Sequence, residues 1–544
     1  MSECGTAVSD RAIGLFAPGH LGALTSLVPA ELVDAVLAST GRVQRRLRLL
    51  PSRVGVYLVL AMVLFPQVGL AGVWERLTAG LASVAVRPSE KGLRDLRRRI
   101  GPEPLAALFA AVAGPLAWPG MPGVRYRSWR TVAFDGCCSW KLPDSQRNRA
   151  RFGKVRQPAG VAAYPALMLM ALVETGTRGL IGAVFGPIST GEIAWARQLL
   201  PCLASDMLVL ADRGFDARKF LRQISGTGAE FLVRARATRI LPAVQLLPDG
   251  SFLTRLGGAT LRVITASIDV TCADGSTITT EYRLLTTLCD HRLDPAETLV
   301  RLYHERWEIE TTFLALRHTL CGRTVLRSGD PVGIAQEMWA LLCLYQVLRC
   351  AMTDAVATAG IDPDRAGFTA ALHAARDSLI LAEPAETGLC GRIGTSVLTR
   401  LLPARRPRTS PRIIKSAPRY DQSRHHANRH RHGTAITCID ITITPANLPP
   451  APPAVDAAVV LADLPPLQPT TRPDVLQALA IIYTHPDRPH RCAELGRLLG
   501  LTTRRELNAF GAALRKQARL GRINKTGTGT YTATTQPLTP TPNP

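Results

Sequence analysis

The sequence predicts an α/β protein with a mixed β-sheet, a helical N-terminal region and a small helical unit towards its C-terminus. Three observations predict this class. Apolar residues recur at helical spacing over residues 1–125, short apolar runs alternate with turns and helical stretches over residues 126–235, and residues 471–535 hold three helical stretches before a glycine-rich hairpin. With 544 residues, the chain is long enough for several domains.

The composition excludes several classes of protein. Apolar residues make up 46% of the chain and charged residues 20%, which is typical of globular proteins and not of disordered or collagen-like chains. The 65 basic residues against 42 acidic ones give a net charge of +23, which favours a polyanionic partner, either nucleic acid or an anionic membrane surface. Most of the basic residues are arginines, so a GC-rich coding sequence is an alternative explanation, and clustering must separate the two.

A membrane role is disfavoured by the lengths of the apolar segments. The longest runs, Val54–Phe65 and Ala159–Val173, are shorter than the roughly 20 residues that a membrane-spanning helix needs. The first residues lack the basic stretch and apolar core of a secretory signal, so we expect a cytoplasmic protein. Apart from Cys137 and Cys138 the cysteines are widely spaced, and we expect them to be reduced thiols without a zinc site.

Residues 1–125 form the first predicted domain, which is helical. Apolar residues such as Leu32 and Val36 recur at helical spacing. Ser89 precedes a short helix that ends at Gly101 and carries several arginines around Arg97. A solvated basic surface and a small DNA-contacting domain explain these arginines equally well.

Residues 126–235 are predicted to form the first part of a catalytic core. Apolar runs predict strands at Trp129–Phe134, Ala166–Glu174, Leu180–Gly186, Met207–Ala211 and Glu230–Arg234. Helices at Glu192–Leu200 and Asp216–Ser225 precede the last two strands. The order β-β-β-α-β-α-β is that of a ribonuclease-H-like mixed sheet.

The rest of the chain divides into four predicted parts. They are a β-rich insertion over residues 236–295, a second part of the core over residues 296–400, a basic segment with a proline-rich linker over residues 401–470, and a winged-helix-like domain over residues 471–535. Residues 404–432 alone hold nine basic residues against one acid. Arg504 and Arg505 lie near the predicted recognition helix of the last domain, for which a helical protein-interaction tail is the alternative.

Two predicted strands end in carboxylates. Asp135 follows the apolar run in VAFDG, and Asp212 follows the run in LVLADRGFD. A carboxylate at such a position is costly to desolvate unless a cation or hydrogen bonds compensate, which favours a functional role. Taken singly each signal is weak, because an aspartate before a glycine is often a turn residue.

The stretch YHERWEIETTFLALR, residues 303–317, places four polar side chains on one face of a predicted helix. At about 100° per residue these four residues fall within an arc of roughly 60°. They are Tyr303, Arg306, Glu310 and Arg317. Glu305 and Glu308 point about 100° or more away and are weaker candidates for the same site. The alternative is an amphipathic helix with a salt-bridged polar face.

These residues give the chain a resemblance to the DDE transposases of the insertion-sequence-4 family. That family has two aspartates on a ribonuclease-H-like sheet, a β-rich insertion, and a helix with a Tyr-x2-Arg-x3-Glu-x6-Lys signature. Here the signature has Arg317 in place of the lysine, which keeps the charge but not the geometry. The sequences ADRGF around Asp212 and LLPSRVGVYLVLAMVLF in the N-terminal region add to the resemblance, which covers about residues 15–435.

The resemblance implies a chemistry and a set of roles. Asp135, Asp212 and Glu310 would be catalytic and would hold two Mg²⁺ ions, with Mn²⁺ as a substitute. Water would nick the end of the element, and the freed 3′-hydroxyl would then attack the opposite strand or the target DNA. The basic residues of the signature would bind phosphates near the cut, and Tyr303 would hydrogen-bond a phosphate.

Some members of the family form a DNA hairpin with a flipped base stacked on an aromatic residue before this helix. Tyr282 is a candidate for that stacking, and a core aromatic on a strand is the alternative. The implied partners are double-stranded DNA, namely the terminal inverted repeats and the target, and a second copy of the chain in the synaptic complex. The implied location is the bacterial cytoplasm, in association with the nucleoid.

Three other functions stay open on the sequence alone. The first is a catalytically inactive DNA-binding regulator derived from a transposase, and the second is a ribonuclease-H-like nuclease that acts on other substrates. The third is a zinc site formed by four histidines. They are His425, His426, His430 and His432. The arginines among these histidines disfavour cation capture and favour a basic segment that tracks DNA.

Overall fold

The computed structural model describes most of the chain and divides it into two compact units. The described residues are 20–46, 48–81, 87–157, 160–383, 391–404, 436–445, 472–485, 488–501, 503–520 and 522–533. The first unit comprises Met1–Ala237 and Ala266–Thr442, and the second comprises Thr238–Thr265 and Ile443–Pro544. The predictions on the basic segment over residues 405–432, on the histidines within it and on the proline-rich linker within residues 446–470 lie outside the described residues.

The first unit contains a layer of helices and a large sheet. Its helices are α1 Ala30–Ser39, α2 Ser52–Leu64, α3 Leu70–Thr78, α4 Glu90–Ile100, α5 Glu103–Val112, α6 Gln146–Phe152, α7 Glu192–Arg197, α8 Arg218–Ser225, α9 Ala296–Tyr303, α10 Glu308–Leu314, α11 Pro331–Thr358, α12 Phe368–Ile380 and α13 Arg392–Thr399. Its strands are β1 Arg125–Tyr126, β2 Trp129–Lys141, β3 Lys154–Gln157, β4 Gly160–Glu174, β5 Leu180–Pro187, β6 Met207–Ala211 and β7 Glu230–Arg234.

The predicted β-rich insertion contains four strands. They are β8 Gln245–Leu246, β9 Phe252–Leu256, β10 Ala259–Cys272 and β11 Thr277–Thr286. A further strand, β12 Ile436–Ile443, pairs with β10 and lies in a segment for which the sequence predicted no strand. Its alternating sequence ITCIDITI explains why it adds to a sheet, since every second side chain can face the same side.

Between residues 30 and 112 the described residues are largely helical, as predicted, and α4 shows why. Ser89 caps the helix by accepting a hydrogen bond from the Gly92 amide at 3.2 Å, and an apolar face is buried on one side. The helix corrects one expectation, because Arg97 is not part of a DNA-facing basic surface. Its guanidinium lies 2.8 Å from the carboxylate of Glu337 on α11 and also donates to Gln336.

A mixed sheet runs through the first unit. β2 pairs antiparallel with β4 and parallel with β6, β4 pairs antiparallel with β5, and β6 pairs parallel with β7. β7 then pairs antiparallel with β11. This arrangement confirms the predicted mixed α/β architecture, and β2, β6 and β7 are the parallel strands at its centre.

One prediction about this sheet is wrong. Asp135 does not end its strand, because β2 continues to Lys141 and pairs with β4 both before and after a register shift. Trp140 is almost fully buried and anchors that continuation, after a register shift between Cys137 and Trp140. The sequence analysis located strands by runs of apolar residues, and it missed this continuation because polar and cysteine residues follow Asp135.

Helix α11 is the central helix of the first unit. Within the described residues it is the one helix long and apolar enough to span a membrane, but 78% of its apolar window is buried inside the protein. The ring of Trp339 on α11 lies 5.5 Å from Phe109 of α5 and 4.7 Å from Phe185 of β5. α11 therefore joins the N-terminal helices to the sheet as a core helix.

A buried ion cluster connects the sheet to the helices that follow it. Arg178 lies in the turn between β4 and β5, with a φ of 61°. Its guanidinium donates hydrogen bonds to the carboxylates of Glu308 and Asp364, and all three side chains are at most 7% exposed. The hydroxyl of Tyr345 donates to the Arg178 carbonyl at 2.8 Å, so the backbone of this turn is also fixed.

The second unit contains a small domain of three helices and a three-stranded sheet. Its elements are α14 Pro473–Thr484, α15 Cys492–Leu498, α16 Arg504–Arg519, β13 His490–Arg491, β14 Ile523–Gly527 and β15 Thr530–Ala533. The strand order is β13-β15-β14, and all pairs are antiparallel. Three helices and a hairpin occur in the predicted order, around a core that includes Phe510 and Tyr531.

The buried cluster predicts a large cost for removing its arginine. We expect Arg178→Met to lower the free energy of unfolding by about 3–5 kcal/mol, because Glu308 and Asp364 would be left as buried, unpaired charges. Urea unfolding of the purified protein measures this. Arg301→Met, which breaks an exposed pair with Glu297, is the matched control and should cost less than about 1 kcal/mol. Equal losses in the two variants would contradict the prediction.

Candidate active site

The register of β2 and β6 brings the two aspartates together. Ala133 lies opposite Leu210 in the parallel pair, so Asp135 and Asp212, each two residues further on, project from the same edge. Asp135 Oδ1 accepts a hydrogen bond from the Gly136 amide at 2.9 Å. Asp212 Oδ1 accepts one from the Gly214 amide at 2.7 Å. Both carboxylates are thus held by backbone amides beside each other.

The third carboxylate lies on a segment for which the sequence predicted one continuous α-helix, and that prediction is wrong. α9 is followed by a 3₁₀ turn at His304–Trp307, then by α10, and then by a π-helical turn at Ala315–Leu320. A constant 100° per residue therefore does not describe this segment. The side chain of Glu310 nevertheless faces the aspartates, because it shares a partner with Asp135.

That partner is Arg306, which lies between the carboxylates. Its Nη1 is 3.6 Å from Asp135 Oδ2, and its Nη2 is 3.3 Å from Glu310 Oε1. Burial lowers the pKa of the Arg306 guanidinium, but the nearby Tyr303 and the carboxylates outweigh burial and raise its pKa overall. Arg306 is therefore permanently charged and connects the strand carboxylate to the helix carboxylate.

The site still carries more negative than positive charge. Burial raises the pKa of Asp135 to about 7, Arg306 opposes that rise, and the charges of Asp212 and Glu310 add to it. Asp135 therefore exchanges its proton near neutral pH. A site with this excess of carboxylate charge is stabilised by an additional cation.

Glu308 does not belong to this group. Its carboxylate is buried in the ion cluster with Arg178, on another side of α10 from Glu310. This position agrees with the weaker candidacy that the helical spacing gave it. Glu308 acts on the site only by fixing the helix that carries Glu310.

Arg317 contacts β2 at a point beyond Asp135. It is in the π-helical turn, and its Nη1 donates a hydrogen bond to the hydroxyl of Ser139. Ser139 is four residues after Asp135 on β2, next to the register shift. The signature residues therefore extend from the carboxylates towards Ser139 and do not all converge on one point.

The two tyrosines form an aromatic cluster beside Arg306. The Tyr282 ring centroid is 5.8 Å from that of Tyr303 and 5.8 Å from that of His304, and the Arg234 guanidinium lies 4.1 Å from the Tyr282 ring centre. One face of Tyr282 is thus already covered by a cation. Burial raises the pKa of Tyr303 to about 12, so its hydroxyl stays protonated and can donate a hydrogen bond.

The sequence analysis missed Glu192, which starts α7. Gly136 and Gly214 leave room for its carboxylate: a Cβ on Gly136 would lie 3.0 Å from Glu192 Oε1, and a Cβ on Gly214 would lie 3.4 Å from Glu192 Oε2. Burial, and then the charge of Asp212, raise the pKa of Glu192. No motif spacing pointed to it, and only the positions of the glycines next to both aspartates hint at a close approach.

The donor atoms suit a hard divalent cation, since carboxylate oxygens are the ligands that such ions prefer. Within the part of the chain that the structure describes, no three His, Cys, Asp or Glu side chains are already close enough to enclose an ion. Arg306 occupies the space between Asp135 and Glu310. The residues fit a metal site by charge and donor type, with the two aspartates as its best-placed pair.

Two further candidates, Arg504 and Arg505, lie in the second unit. Both are exposed at the start of α16, where Thr503 and Glu506 form a capping box. The carboxylates belong to the first unit, so these two arginines are described with the second unit alone.

Two protein families match parts of this chain. Residues 18–110 match the family described as insertion element 4 transposase N-terminal, and residues 139–347 match the transposase DDE domain. The chain belongs to the insertion-sequence-4 family of DDE transposases. It is 25% identical over 415 residues to the transposase InsG for insertion sequence element IS4 of Escherichia coli (strain K12), which covers 73% of this chain and 92% of that protein.

Among solved structures, the chain is similar to a piggyBac transposase in a synaptic complex with hairpin DNA, with 10% sequence identity and a TM-score of 0.35. The similarity covers 73% of this chain and 87% of the piggyBac chain. As a member of this family, the protein is a DNA transposase of an insertion sequence. Its partner is DNA, and it has transposase and endonuclease activity. DDE domains generally depend on divalent metal ions. Asp212 and Glu310 lie within the matched DDE range, and Asp135 lies four residues before it.

The raised pKa of Asp135 predicts a pH-dependent effect on stability. Because the folded protein holds this proton more tightly than the unfolded chain does, ionisation of Asp135 destabilises the fold as the pH rises from about 4 through 7. We expect Asp135→Asn to raise the Tm relative to wild type more at pH 8 than at pH 5.5. Thermal unfolding in EDTA measures this, and a difference in Tm that is the same at both pH values would contradict it.

Proposed function

We propose that this transposase cuts the phosphodiester backbone at the terminal inverted repeats of its insertion sequence and transfers the freed ends into target DNA, by a cut-and-paste route. Asp135, Asp212 and Glu310 are the proposed catalytic residues. The observation that carries the proposal is the parallel register that sets Asp135 beside Asp212, together with Arg306, which brings Glu310 to Asp135. This joins carboxylates from a strand, a strand end and a helix at one edge of the sheet.

The same three carboxylates would hold a pair of Mg²⁺ ions, with Mn²⁺ as a substitute. When bound, the ions would supply Lewis acids for the attacking and departing oxygens of the phosphodiester. Asp135 is suited to such a site, since a group with a pKa of about 7 gives up its proton at neutral pH when a positive charge arrives.

The cationic side chains would bind the DNA backbone on either side of the carboxylates. Arg306 is already held in place by two carboxylates, which makes it a fixed donor to a phosphate oxygen near the cut. Arg317 is held through Ser139 further along β2 and would contact a neighbouring phosphate. Tyr303 would donate a hydrogen bond to a phosphate from its hydroxyl, which stays protonated because its pKa is raised.

A hairpin step that stacks a flipped base on Tyr282 has less support. Arg234 covers one face of this ring, so a base would have to stack on the other face or displace the guanidinium. The contacts with Tyr303 and His304 support a different role, in which Tyr282 holds the aromatic cluster beside Arg306.

The remaining parts of the proposal concern partners and location. The strand order β5-β4-β2-β6-β7 supports a ribonuclease-H-like core, and the three helices and hairpin of residues 473–533 support a winged-helix domain. Two element ends must be held together during transfer, so we propose that a homodimer forms the synaptic complex. The protein would act in the bacterial cytoplasm, on nucleoid DNA.

The assignment of the carboxylates predicts which variants lose cleavage. We expect Asp212→Asn and Glu310→Gln to lower cleavage by at least about a hundredfold, because a direct metal ligand matters at least as much as its hydrogen-bond partners. The assay uses duplexes of the genomic DNA that flanks both ends of the gene, with Mg²⁺.

Glu297→Gln is the matched control, since Glu297 is an exposed carboxylate on α9 that pairs only with Arg301 among the contacts described above. It should cleave like wild type. Glu308→Gln tests folding instead of chemistry, because its carboxylate neutralises the buried Arg178. Full cleavage by a correctly folded Asp212→Asn protein would overturn the assignment.

A further inference from the structure

We propose that helix α16 reads DNA sequence in the major groove, with Asn508 as the side chain that contacts a base edge. The inference rests on the proposed function, because it assigns recognition of particular DNA sites to the small domain of the second unit. Neither matched family covers residues 473–533. This domain therefore needs a role of its own.

The exposed face of α16 has a defined composition. At about 100° per residue, six exposed positions lie within an arc of roughly 100° around the helix axis. They are Arg505, Asn508, Ala509, Ala512, Lys516 and Arg519, all exposed. Around the helix axis, Ala512 lies near the centre of this face, and Asn508 and Ala509 lie at its two edges. Along the axis, these three residues occupy the middle of the helix, and the cations lie towards both ends. We call this surface the Asn508 face.

The opposite face of α16 holds the helix in place. Phe510 and Leu514 are fully buried in the core of the small domain, where they join Ile523 of β14 and Tyr531 of β15. The capping box formed by Thr503 and Glu506 fixes the first turn. The Asn508 face is therefore presented by a rigid helix, and it is the side that the domain core does not use.

Each residue type on this face suits duplex DNA. Asparagine can make paired hydrogen bonds to adenine in the major groove, and alanine can contact the methyl group of thymine. Small central side chains let the helix backbone approach the base edges. The arginines and lysine at the two ends reach towards the phosphates that border a groove.

A protein partner fits this face less well. Between Arg505 and Arg519, none of the exposed residues is large and apolar, whereas the centre of a protein interface is enriched in aromatic and large apolar side chains. The one acidic residue of α16, Glu506, is engaged in the capping box. Lys525, exposed on the β14–β15 hairpin, adds positive charge to the same domain.

The experiment uses the purified full-length protein and a library of random-sequence duplexes. Wild type should select a preferred sequence, and its affinity is then compared between that duplex and a scrambled one. We expect Asn508→Ala to reduce the ratio of the two affinities by about tenfold or more, with little change in binding to the scrambled duplex. Lys516→Ala should weaken binding to both duplexes and reduce the salt dependence by about one released ion.

Gln477→Ala is the matched control, because Gln477 is an exposed polar residue on a different helix, α14. It should bind like wild type. Ala512→Leu keeps a good helix former but blocks close approach, so it should lose the preference as Asn508→Ala does. Thermal unfolding of each variant confirms that the domain is intact.

A wild-type protein that selects no sequence would overturn the proposal, and so would a folded Asn508→Ala variant that keeps the full affinity ratio. The catalytic proposal is separated by Asp212→Asn, which should retain the sequence preference while it loses cleavage. If Asn508→Ala loses the sequence preference, the proposed role of Asn508 is supported. If Asp212→Asn cleaves fully in the same experiments, the assignment of the catalytic carboxylates is rejected.

Discussion

The buried contact of Arg178 with Glu308 and Asp364 is the interaction on which the geometry of the site depends. Arg178 belongs to the turn that connects two strands of the sheet, and Glu308 lies two residues before Glu310 on α10. Charges buried this deeply tolerate little displacement, because any separation leaves them without water or a partner. The contact therefore fixes the rotation of α10 about its axis, and with it the direction of Glu310.

The sheet supplies the other half of the site through its register. Parallel pairing of β2 with β6 places Asp135 next to Asp212, and a slip by one residue would turn one aspartate to the opposite face. Buried residues on both sides of the register, such as Phe134 and Leu210, prevent that slip. The position of the carboxylates is thus a consequence of packing, while their chemistry comes from the charges that packing forces together.

Much of this site could be predicted from short-range patterns. Apolar runs gave the central strands, and spacing along residues 303–317 separated Glu310 from Glu308. Long-range contacts could not be predicted. Arg97 looks like a surface arginine in sequence, and only its approach to Glu337 makes it internal. The 3₁₀ and π turns around α10, and the continuation of β2 beyond Asp135, depend on neighbouring elements and leave no local signal.

The π-helical turn at Ala315–Leu320 has a consequence for how the signature is spaced. A π turn contains one residue more than the corresponding α turn, and such turns occur as local irregularities within α-helices. Removal of one residue there would restore an ordinary turn without rotating Glu310, whereas the same deletion within α10 would rotate it by about 100°. Loss of one residue within the π-helical turn would therefore leave Glu310 in place, whereas loss of one residue between Arg306 and Glu310 would not.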